Sequence, residues 1–364
     1  MTATIKAMDF GDVLLRNRPR FIRERIPYSV MVELTHRCNL RCVHCYCPPR
    51  AARKGELTVE EFGVVFDKLA EAGTGQVCLT GGDPLLRPDF AEIYVEAKKR
   101  GFLVIVFTNG ALVNDEHLDL WTSYRPRRIE ITLYGKSERV YDELTQVRGA
   151  HRVVYENVRK LLDRGLPIEL KTVALTLTRD EVLEMMAFAE DLGVAFRFDG
   201  RIHPRIDGSF KPLAYRLKPG DLADLETSTS KGSDFLVRQY ETMERLDGNG
   251  DNAFSCGAGM LAATVDPYGR LHLCTIARVP GMDLLHNDFS TIWNGEVKEI
   301  RSLKRNAEAQ DLADREGWID KCPGFSRLEK GDLSAASDFL VDLARAEKRK
   351  IGKVGSGSEV QSPT

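Results

Sequence analysis

The sequence lacks any long apolar segment. No run of about 18 apolar residues occurs, so a membrane-spanning helix is not expected. The arginine-rich first 25 residues contain no apolar stretch long enough for a signal peptide, which predicts a cytoplasmic protein. An excess of one charge is also missing, because the formal net charge of the 364 residues is −2. Composition therefore indicates neither nucleic acid nor a membrane surface as a partner.

Cysteine is scarce and unevenly placed. Of the eight cysteines, Cys38, Cys42, Cys45 and Cys47 fall within ten residues. In a reducing compartment a disulfide framework is not expected, and clustered thiols are typical of metal ligands. The other four are Cys78, Cys256, Cys274 and Cys322. The clustering predicts a metal centre close to residue 40.

Short apolar runs alternate with amphipathic segments over the first 200 residues. The predicted strands lie near 30–34, 76–80, 103–107, 128–133, 167–173 and 194–198. The predicted helices lie at about 58–72, 89–100, 114–122, 152–165 and 179–192. The first helix opens with Thr58 and Glu61, which form a capping-box pattern. This alternation predicts parallel βα units, in a barrel or an open sheet, with functional residues at the carboxyl ends of the strands.

The alternation stops after Gly200. Residues 204–252 are mixed in character and predict a bridging region. A hairpin is predicted over 261–274, where two apolar runs flank a type I turn sequence from Asp266 to Gly269. A last helix is predicted over 333–349, and the Gly/Ser-rich segment 352–364 is predicted to be disordered.

Cys38, Cys42 and Cys45 form a CxxxCxxC pattern directly after the first predicted strand. Three thiolates on one short loop can converge on an inorganic cluster, because thiolates are soft ligands. A [4Fe–4S] cluster held by only three cysteines keeps one iron open for another ligand. The alternatives are a zinc site completed by Cys47 or His44, or buried free thiols.

The CxxxCxxC pattern resembles the defining motif of the radical S-adenosylmethionine (radical SAM) superfamily, which lies after the first strand of a partial barrel. The resemblance implies that the amino and carboxylate groups of S-adenosylmethionine chelate the open iron. It also implies that His44 lies near the adenine. The segment Gly81, Gly82, Asp83 and Pro84 is similar to the family's GGEP motif, with Asp in place of Glu. This similarity implies that the segment binds the methionine amino group.

Four further residues follow the family pattern at successive strand ends. Asn109 ends the third predicted strand, Thr132 ends the fourth, Arg148 follows one helix later, and Lys171 lies on the fifth. The resemblance implies that Arg148 meets the methionine carboxylate and that Lys171 faces the ribose. For each residue taken singly, a solvated strand-end residue is the preferred interpretation. Their order along the chain supports the resemblance over about residues 28–200.

A second pattern lies near the carboxyl terminus. Cys256, Gly269 and Cys274 give CX12GX4C, which resembles the opening of the SPASM and twitch auxiliary-cluster domains. The resemblance implies a second [4Fe–4S] cluster whose third ligand is Cys322. The alternative is a degenerate domain that keeps the fold without the metal. Cys47 and Cys78 are interpreted as bystanders, with Cys78 packed as a small apolar residue.

The expected fold is therefore α/β, with a partial (β/α)6 TIM-like barrel followed by a small α+β twitch/SPASM-like domain that contains a β-hairpin. The expected divisions are a basic arm (1–27), the radical SAM barrel (28–203), a bridging region (204–252), the auxiliary-cluster domain (253–330), a C-terminal helix (331–351) and a disordered tail (352–364).

The resemblance implies reductive cleavage of S-adenosylmethionine to a 5′-deoxyadenosyl radical, followed by hydrogen abstraction from a substrate. The expected substrate is a ribosomally synthesised peptide that becomes crosslinked, epimerised or oxidised. The expected partners are a leader-bearing peptide, a separate leader-binding protein, and an electron donor such as flavodoxin or ferredoxin. A radical SAM dehydrogenase of a small alcohol is the main alternative, and a non-enzymatic zinc or electron-carrier protein is a remote one.

Two sets of polar residues carry weaker hypotheses. Asp199, Arg201 and His203 follow the sixth predicted strand and are candidates for substrate contact. The basic stretch within 345–350 has the charge to attract an acidic leader peptide, but a solvated helix face is the preferred interpretation. No catalytic acid or base is assigned.

Overall fold

The structure is a computed structural model that describes residues 10–47, 55–247, 250–316 and 322–355. In this described part, no helix is both long and apolar enough to cross a membrane. The segment predicted as a basic arm is helical from Phe10, since helix α1 spans Phe10–Glu24.

Six parallel strands form the centre of the fold, in the sequential order β6-β5-β4-β3-β2-β1. They are β1 (Ser29–Thr35), β2 (Gln76–Gly81), β3 (Leu103–Thr108), β4 (Arg128–Thr132), β5 (Ile168–Val173) and β6 (Ala195–Asp199). The intervening helices are α2 (Val59–Glu71), α3 (Phe90–Lys99), α4 (Asp115–Ser123), α5 (Glu138–Thr145), α6 (Ala150–Asp163) and α7 (Val182–Asp191). The predicted strands and the α/β class are confirmed, whereas α5 was not predicted.

The two faces of this sheet differ in chemistry. Successive strand residues point to opposite faces, so Val30, Val32 and Leu34 share the face that packs under the helices. The other face is here called the polar face, and it is defined by Glu33, Cys78, Glu130, Lys171 and Arg197. The capping box predicted for α2 is present, with Thr58 and Glu61 each bonding the other's backbone N–H.

The C-terminal strands extend the same sheet. Strand β7 (Ala262–Val265) pairs in parallel with β1, and β8 (Arg270–His272) and β9 (Pro280–Asp283) follow in antiparallel order. The predicted hairpin is confirmed. Asp266 fixes its turn, because Oδ1 accepts the N–H groups of Tyr268 and Arg270, each at 3.0 Å. The sheet therefore has nine strands, and β1 lies inside it.

The remaining helices correct several expectations. They are α8 (Pro219–Glu226), α9 (Ser230–Asp247), α10 (Phe289–Asn294), α11 (Glu296–Arg301), α12 (Ala307–Glu316), α13 (Pro323–Lys330) and α14 (Asp338–Gly355). The bridging region 204–252 is thus largely helical. The last helix begins later than predicted and includes residues 352–355 of the predicted disordered tail. The rest of that tail lies outside the described residues.

A buried polar cluster joins α8, α9 and α14 to the segment after β6. Arg201 donates to Glu226 Oε1 at 2.8 Å and to Glu347 Oε1 at 3.0 Å. Tyr240 donates to the other Glu347 oxygen at 2.6 Å. The Arg201 guanidinium, a predicted candidate for substrate contact, takes part in this cluster and is 23% exposed. Within the basic stretch 345–350, Lys350 pairs with Asp224.

The Glu226 carboxyl makes the stability of the apo chain pH-dependent. Burial raises the pKa of Glu226 from 4.5 to about 8, against the opposing charge of Arg201 and with a further rise from Glu347. Because the folded-state pKa is raised, the stabilisation is present at low pH and is lost as the pH rises toward 8. We expect this group to lower the free energy of unfolding by up to about 1.4 kcal/mol per pH unit between about pH 5 and 8.

Denaturant unfolding at about pH 5.5 and about pH 7.5 measures this slope. Glu226→Gln is expected to reduce it, since an amide does not titrate. Glu143→Gln is the matched control, because Glu143 is 49% exposed. Equal slopes for the two variants would contradict the assignment.

Candidate active site

The loop after β1 brings the three predicted thiols into one region. Cys42 is buried, Cys45 is partly buried and Cys38 is exposed. The Cys45 N–H donates to the Cys42 carbonyl at 3.1 Å, which turns the loop back on itself. Burial raises the pKa of the Cys42 thiol, and the charges of Cys45 and Cys38 raise it further. The three thiols therefore lie within electrostatic reach of one another.

Helix α5 anchors the middle of this loop. The N–H groups of Arg41 and Val43 donate to the carbonyls of Thr145 and Leu144, at 2.9 and 3.0 Å. Those carbonyls belong to the last turn of α5, where helix carbonyls have no partner within the helix. The unpredicted helix thus has a direct part in shaping the cysteine loop.

Asp83 links the ends of β2 and β3. Its Oδ2 accepts from the Thr108 hydroxyl at 2.9 Å and from the Asn109 N–H at 2.8 Å. Its Oδ1 accepts from the Leu85 N–H at 3.0 Å. Burial raises the pKa of Asp83 to about 6, although these donors act in the opposite direction. Because both oxygens are engaged by the protein, the structure places Asp83 as a positioning residue for Asn109.

Asn109 in turn contacts the cysteine loop. Its Nδ2 donates to Asn39 Oδ1 at 2.8 Å and lies 3.7 Å from the Cys38 sulfur. The Leu40 N–H also points at that sulfur, at 3.4 Å. Donors directed at a ligating sulfur stabilise its charged form and tune the metal it holds.

Gly81 and Gly82 allow two loops to touch. A Cβ at Gly81, whose φ is +137°, would lie 2.1 Å from the Thr35 carbonyl oxygen. A Cβ at Gly82 would lie 2.2 Å from the Arg37 carbonyl oxygen. The Gly82 N–H also donates to Thr35 at 2.7 Å, so the backbones themselves are bonded. The two glycines are needed for contact with the cysteine loop, and the buried Pro84 begins the next turn.

His44 presents an unused nitrogen inside the site. Its Nδ1 is buried and has no hydrogen-bond partner among the described residues. Burial lowers the pKa of His44 to about 4, so the ring is neutral near pH 7. The ring lies 5.8 Å from that of Tyr134, which follows Thr132 by two residues at the end of β4.

Lys171 and Arg148 occupy different surroundings. Lys171 Nζ lies 3.1 Å from Glu130 and 3.1 Å from the centre of the Phe107 ring, on the polar face. Burial lowers the pKa of Lys171 to about 8. Arg148 is exposed just before α6 and makes no ion pair in the described part of the chain. Cys78 is buried but lies near Lys171 and Glu130, so its surroundings are more polar than predicted.

Two of the C-terminal cysteines, Cys256 and Cys274, lie within electrostatic reach of each other. Cys274 accepts the Ala277 N–H at 3.2 Å, and the charge of Cys256 raises its pKa, although burial is the larger cause. Cys322 directly precedes α13. Two residues further on, a Cβ at Gly324 would lie 2.7 Å from Ile276, so α13 packs directly against the loop after Cys274.

Neither cysteine set is arranged around a single metal ion. Within residues 10–47, 55–247, 250–316 and 322–355, no three His, Cys, Asp or Glu side chains are placed to hold one ion.

Comparison with known proteins decides the family. Residues 32–189 match the Radical SAM superfamily. The chain is 30% identical over 340 residues to a PqqA peptide cyclase of Rhodopseudomonas palustris, covering 88% of this chain and 85% of that protein. The chain belongs to the radical SAM superfamily.

Other relatives match over less of their length. The subtilosin biosynthesis protein AlbA of Bacillus subtilis is 24% identical over 312 residues, which is 82% of this chain and 65% of AlbA. Some further relatives are covered over only 44 and 48% of their length. A crystal structure of Streptococcus suis SuiB bound to precursor peptide SuiA superposes with a TM-score of 0.66 at 13% identity, covering 94% of this chain and 83% of SuiB. This likeness shows a shared fold.

The cysteine loop, which bears Cys38, Cys42 and Cys45, suits the cofactors that the family implies. Three soft thiols lie together, with N–H donors directed at Cys38, and His44 has an unpartnered buried nitrogen beside them. Cys38, Cys42 and Cys45 would hold a [4Fe–4S] cluster whose open iron binds S-adenosylmethionine. The individual cofactor contacts of the radical SAM motif residues stay predictions.

Sequence reasoning missed four residues of this radical SAM site: Glu33, Tyr46, Arg205 and Arg278. Arg205 Nε donates to the Cys45 carbonyl at 3.2 Å. Glu33 accepts from Tyr46 at 3.2 Å and from Arg278 at 2.6 and 2.8 Å. A charged residue within an apolar strand, as Glu33 is, was an available signal, because such a charge requires a partner. The sequence around Arg278 gives no signal that it pairs with Glu33, which lies 245 positions away.

Gly82→Ala tests the contact between the radical SAM motif and the cysteine loop. The added methyl group would meet backbone rather than a flexible side chain, so we expect about 1–3 kcal/mol of lost stability and a lower iron content. Chemical denaturation and iron analysis measure the two effects.

Gly220→Ala is the matched control for this test, because no atom lies within 4 Å of its added Cβ. Equal stability and equal iron content in the two variants would contradict the proposed contact.

Proposed function

We propose that this chain is a radical SAM enzyme that abstracts a hydrogen atom from a ribosomally synthesised peptide. The observation that carries the proposal is the cysteine loop of Cys38, Cys42 and Cys45, held at the carboxyl edge of the sheet by the ends of β2, β3 and α5. When bound there and reduced by an external donor, the cluster would pass one electron to S-adenosylmethionine, which would give methionine and a 5′-deoxyadenosyl radical.

The chain's own contribution is positioning, because the cofactor carries the chemistry. Asp83 fixes Asn109, and Asn109 fixes the loop that bears Cys38. The neutral His44 offers a nitrogen to a polar ligand without adding a charge. We assign to these residues the orientation of S-adenosylmethionine.

The open side of the sheet supports a long substrate. In the described part of the chain, strand β6 pairs with β5 alone, and Ala195, Arg197 and Asp199 on its polar face are exposed. Further inside the polar face, the buried Glu130 carboxylate pairs with Lys171 and with Arg197. An extended peptide can reach the strand ends from this side, whereas a small alcohol would need a closed pocket.

The relatives also support a peptide substrate. They include a subtilosin biosynthesis protein, a PqqA peptide cyclase, and SuiB, whose structure contains the precursor peptide SuiA. We infer a peptide substrate with a leader, a separate leader-binding protein, and a flavodoxin or ferredoxin as electron donor.

We further infer that Cys256, Cys274 and Cys322 hold an auxiliary [4Fe–4S] cluster. The proximity of Cys256 to Cys274 and the close packing of Gly324 on the loop after Cys274 support this. The N–H donor from Ala277 to Cys274 resembles the sulfur contacts of the first site.

Anaerobic reconstitution tests both sites. We expect about eight irons in the wild type and about four in Cys38→Ala/Cys42→Ala/Cys45→Ala. After chemical reduction of the same samples, 5′-deoxyadenosine should form from S-adenosylmethionine only with the wild type. Iron and sulfide analysis and chromatography of the nucleoside provide the measurements.

Cys78→Ala is the control, since Cys78 is buried outside both sets. It should retain the iron and the nucleoside product. Zinc instead of iron, with no 5′-deoxyadenosine, would sink the central proposal. About four irons in the wild type and none in the triple variant would contradict the auxiliary cluster while still supporting the first cluster.

Co-expression tests the substrate. Each short reading frame that flanks the gene would be expressed with the wild type or with the triple cysteine variant. We expect one encoded peptide to change in mass only with the wild type, as measured by intact-mass spectrometry. A wild-type enzyme that cleaves S-adenosylmethionine but changes none of these peptides, while oxidising a small alcohol, would contradict the peptide substrate.

A further inference from the structure

Tyr46 occupies a position between the two cysteine sets. It follows Cys45 directly, so its backbone is fixed wherever Cys45 is fixed. Its carbonyl accepts the Ile206 N–H at 3.0 Å, and its hydroxyl donates to Glu33 Oε1 at 3.2 Å. The side chain therefore extends from the first cysteine set toward the polar face of β1.

Glu33 continues this connection. Its side chain is only 1% exposed, and it receives both terminal nitrogens of Arg278, at 2.6 and 2.8 Å. His36 lies 3.1 Å from the same carboxylate. Arg278 Nε donates to the carbonyl of Thr275 at 2.7 Å, one residue after Cys274. A continuous series of hydrogen bonds thus joins Cys45 to the loop of Cys274.

A second series uses aromatic rings. The Tyr46 ring lies 6.0 Å from that of His203, and the His203 ring lies 5.7 Å from that of Phe325. Phe325 stands three residues after Cys322. His203 was expected to contact substrate, and the structure packs it between these two rings. Tyr46 therefore reaches the neighbourhoods of both Cys274 and Cys322.

The geometry points to a further role for these residues. We propose that Tyr46, Glu33, Arg278 and His203 form a junction that couples the two cysteine sets, so that a cluster bound at one set strengthens the retention of iron at the other. This inference rests on the proposed auxiliary cluster.

The physical basis is the buried Glu33–Arg278 ion pair together with the Tyr46 hydroxyl that connects it to the cysteine loop. Water does not readily replace Arg278 as the partner of Glu33, because both side chains are largely buried and an unpaired buried charge is strongly disfavoured. The loops at either end therefore cannot shift separately without breaking the pair. A cluster that binds to one cysteine set and orders its loop also favours the ordered state of the other loop. This coupling acts in both directions.

Tyr46→Phe tests the junction. It removes the hydroxyl that donates to Glu33 but keeps the ring beside His203. Tyr141→Phe is the matched control, because the buried Tyr141 hydroxyl also lies near the first cysteine set but has no hydrogen-bond partner among the described residues. Each substitution would be made in the wild type and in Cys256→Ala/Cys274→Ala, using the full reconstituted chain.

The readout is the half-time of iron loss from the first set during anaerobic challenge with a chelator. That set is followed by the change in its electron paramagnetic resonance signal on addition of S-adenosylmethionine. With Tyr46 intact, we expect removal of Cys256 and Cys274 to shorten the half-time about tenfold, within the usual range of coupling. With Tyr46→Phe, the same removal should change it by less than about twofold.

The outcomes separate the two proposals. A tenfold effect that persists in Tyr46→Phe would overturn the junction while leaving the auxiliary cluster in place. About four irons in the wild type, unchanged in Cys256→Ala/Cys274→Ala, would overturn the auxiliary cluster and the coupling with it. Unfolding of the metal-free variants is measured to detect a general loss of stability. Near-equal unfolding midpoints for Tyr46→Phe and Tyr141→Phe, together with unequal iron retention, would support the junction. Equal loss of stability and retention at both tyrosines would contradict it.

Discussion

Strand β1 pairs on both of its edges, with β2 and with β7, and both cysteine sets depend on this double pairing. Parallel strands place their carboxyl ends at one edge of a sheet, so the chain leaving β1 meets the ends of β2 and β7 there. The contacts are direct: the Gly82 N–H bonds to Thr35, and the rings of His36 and Tyr268 lie 5.7 Å apart. A change in the pairing register of β1 would move the cysteine loop relative to every contact described for it.

The polar face imposes a second constraint. An apolar core tolerates many combinations of side chains of suitable volume, whereas a buried charge requires a particular partner. On this face Glu33 is paired with Arg278, and Glu130 with Lys171 and Arg197. Such pairs contribute little net stability compared with apolar packing. They do restrict how neighbouring segments can be arranged, which is the property that a radical-generating site needs from its scaffold.

The sequence predicted the parts of this structure that local patterns determine. The six parallel strands alternate with amphipathic helices, and the cysteine spacing marks both sets, so strand ends and thiols could be assigned residue by residue. Helix α5 was missed because it has only eight residues, although Ser137 is a recognisable N-cap. The Glu33–Arg278 pair could not be predicted, since it joins residues 245 positions apart and only the pairing of β7 with β1 brings them close.

The glycine-rich motif carries Asp83 where the GGEP motif of the family has Glu, and this carboxylate has a defined set of partners. An aspartate is one methylene shorter, and at position 83 it folds back onto Leu85 while reaching Thr108 and Asn109. Its carboxylate thereby connects three segments, and Asn109 extends the connection to Asn39 and Cys38. The motif thus acts through the protein on the thiol loop, in addition to any contact of its backbone with a ligand. The same principle applies to Tyr46, whose hydroxyl meets a carboxylate rather than a cofactor. In this chain, the position of the cysteine loop is therefore fixed largely by residues such as Asn109 that contact the loop, and by residues such as Asp83 that hold those contacts in place.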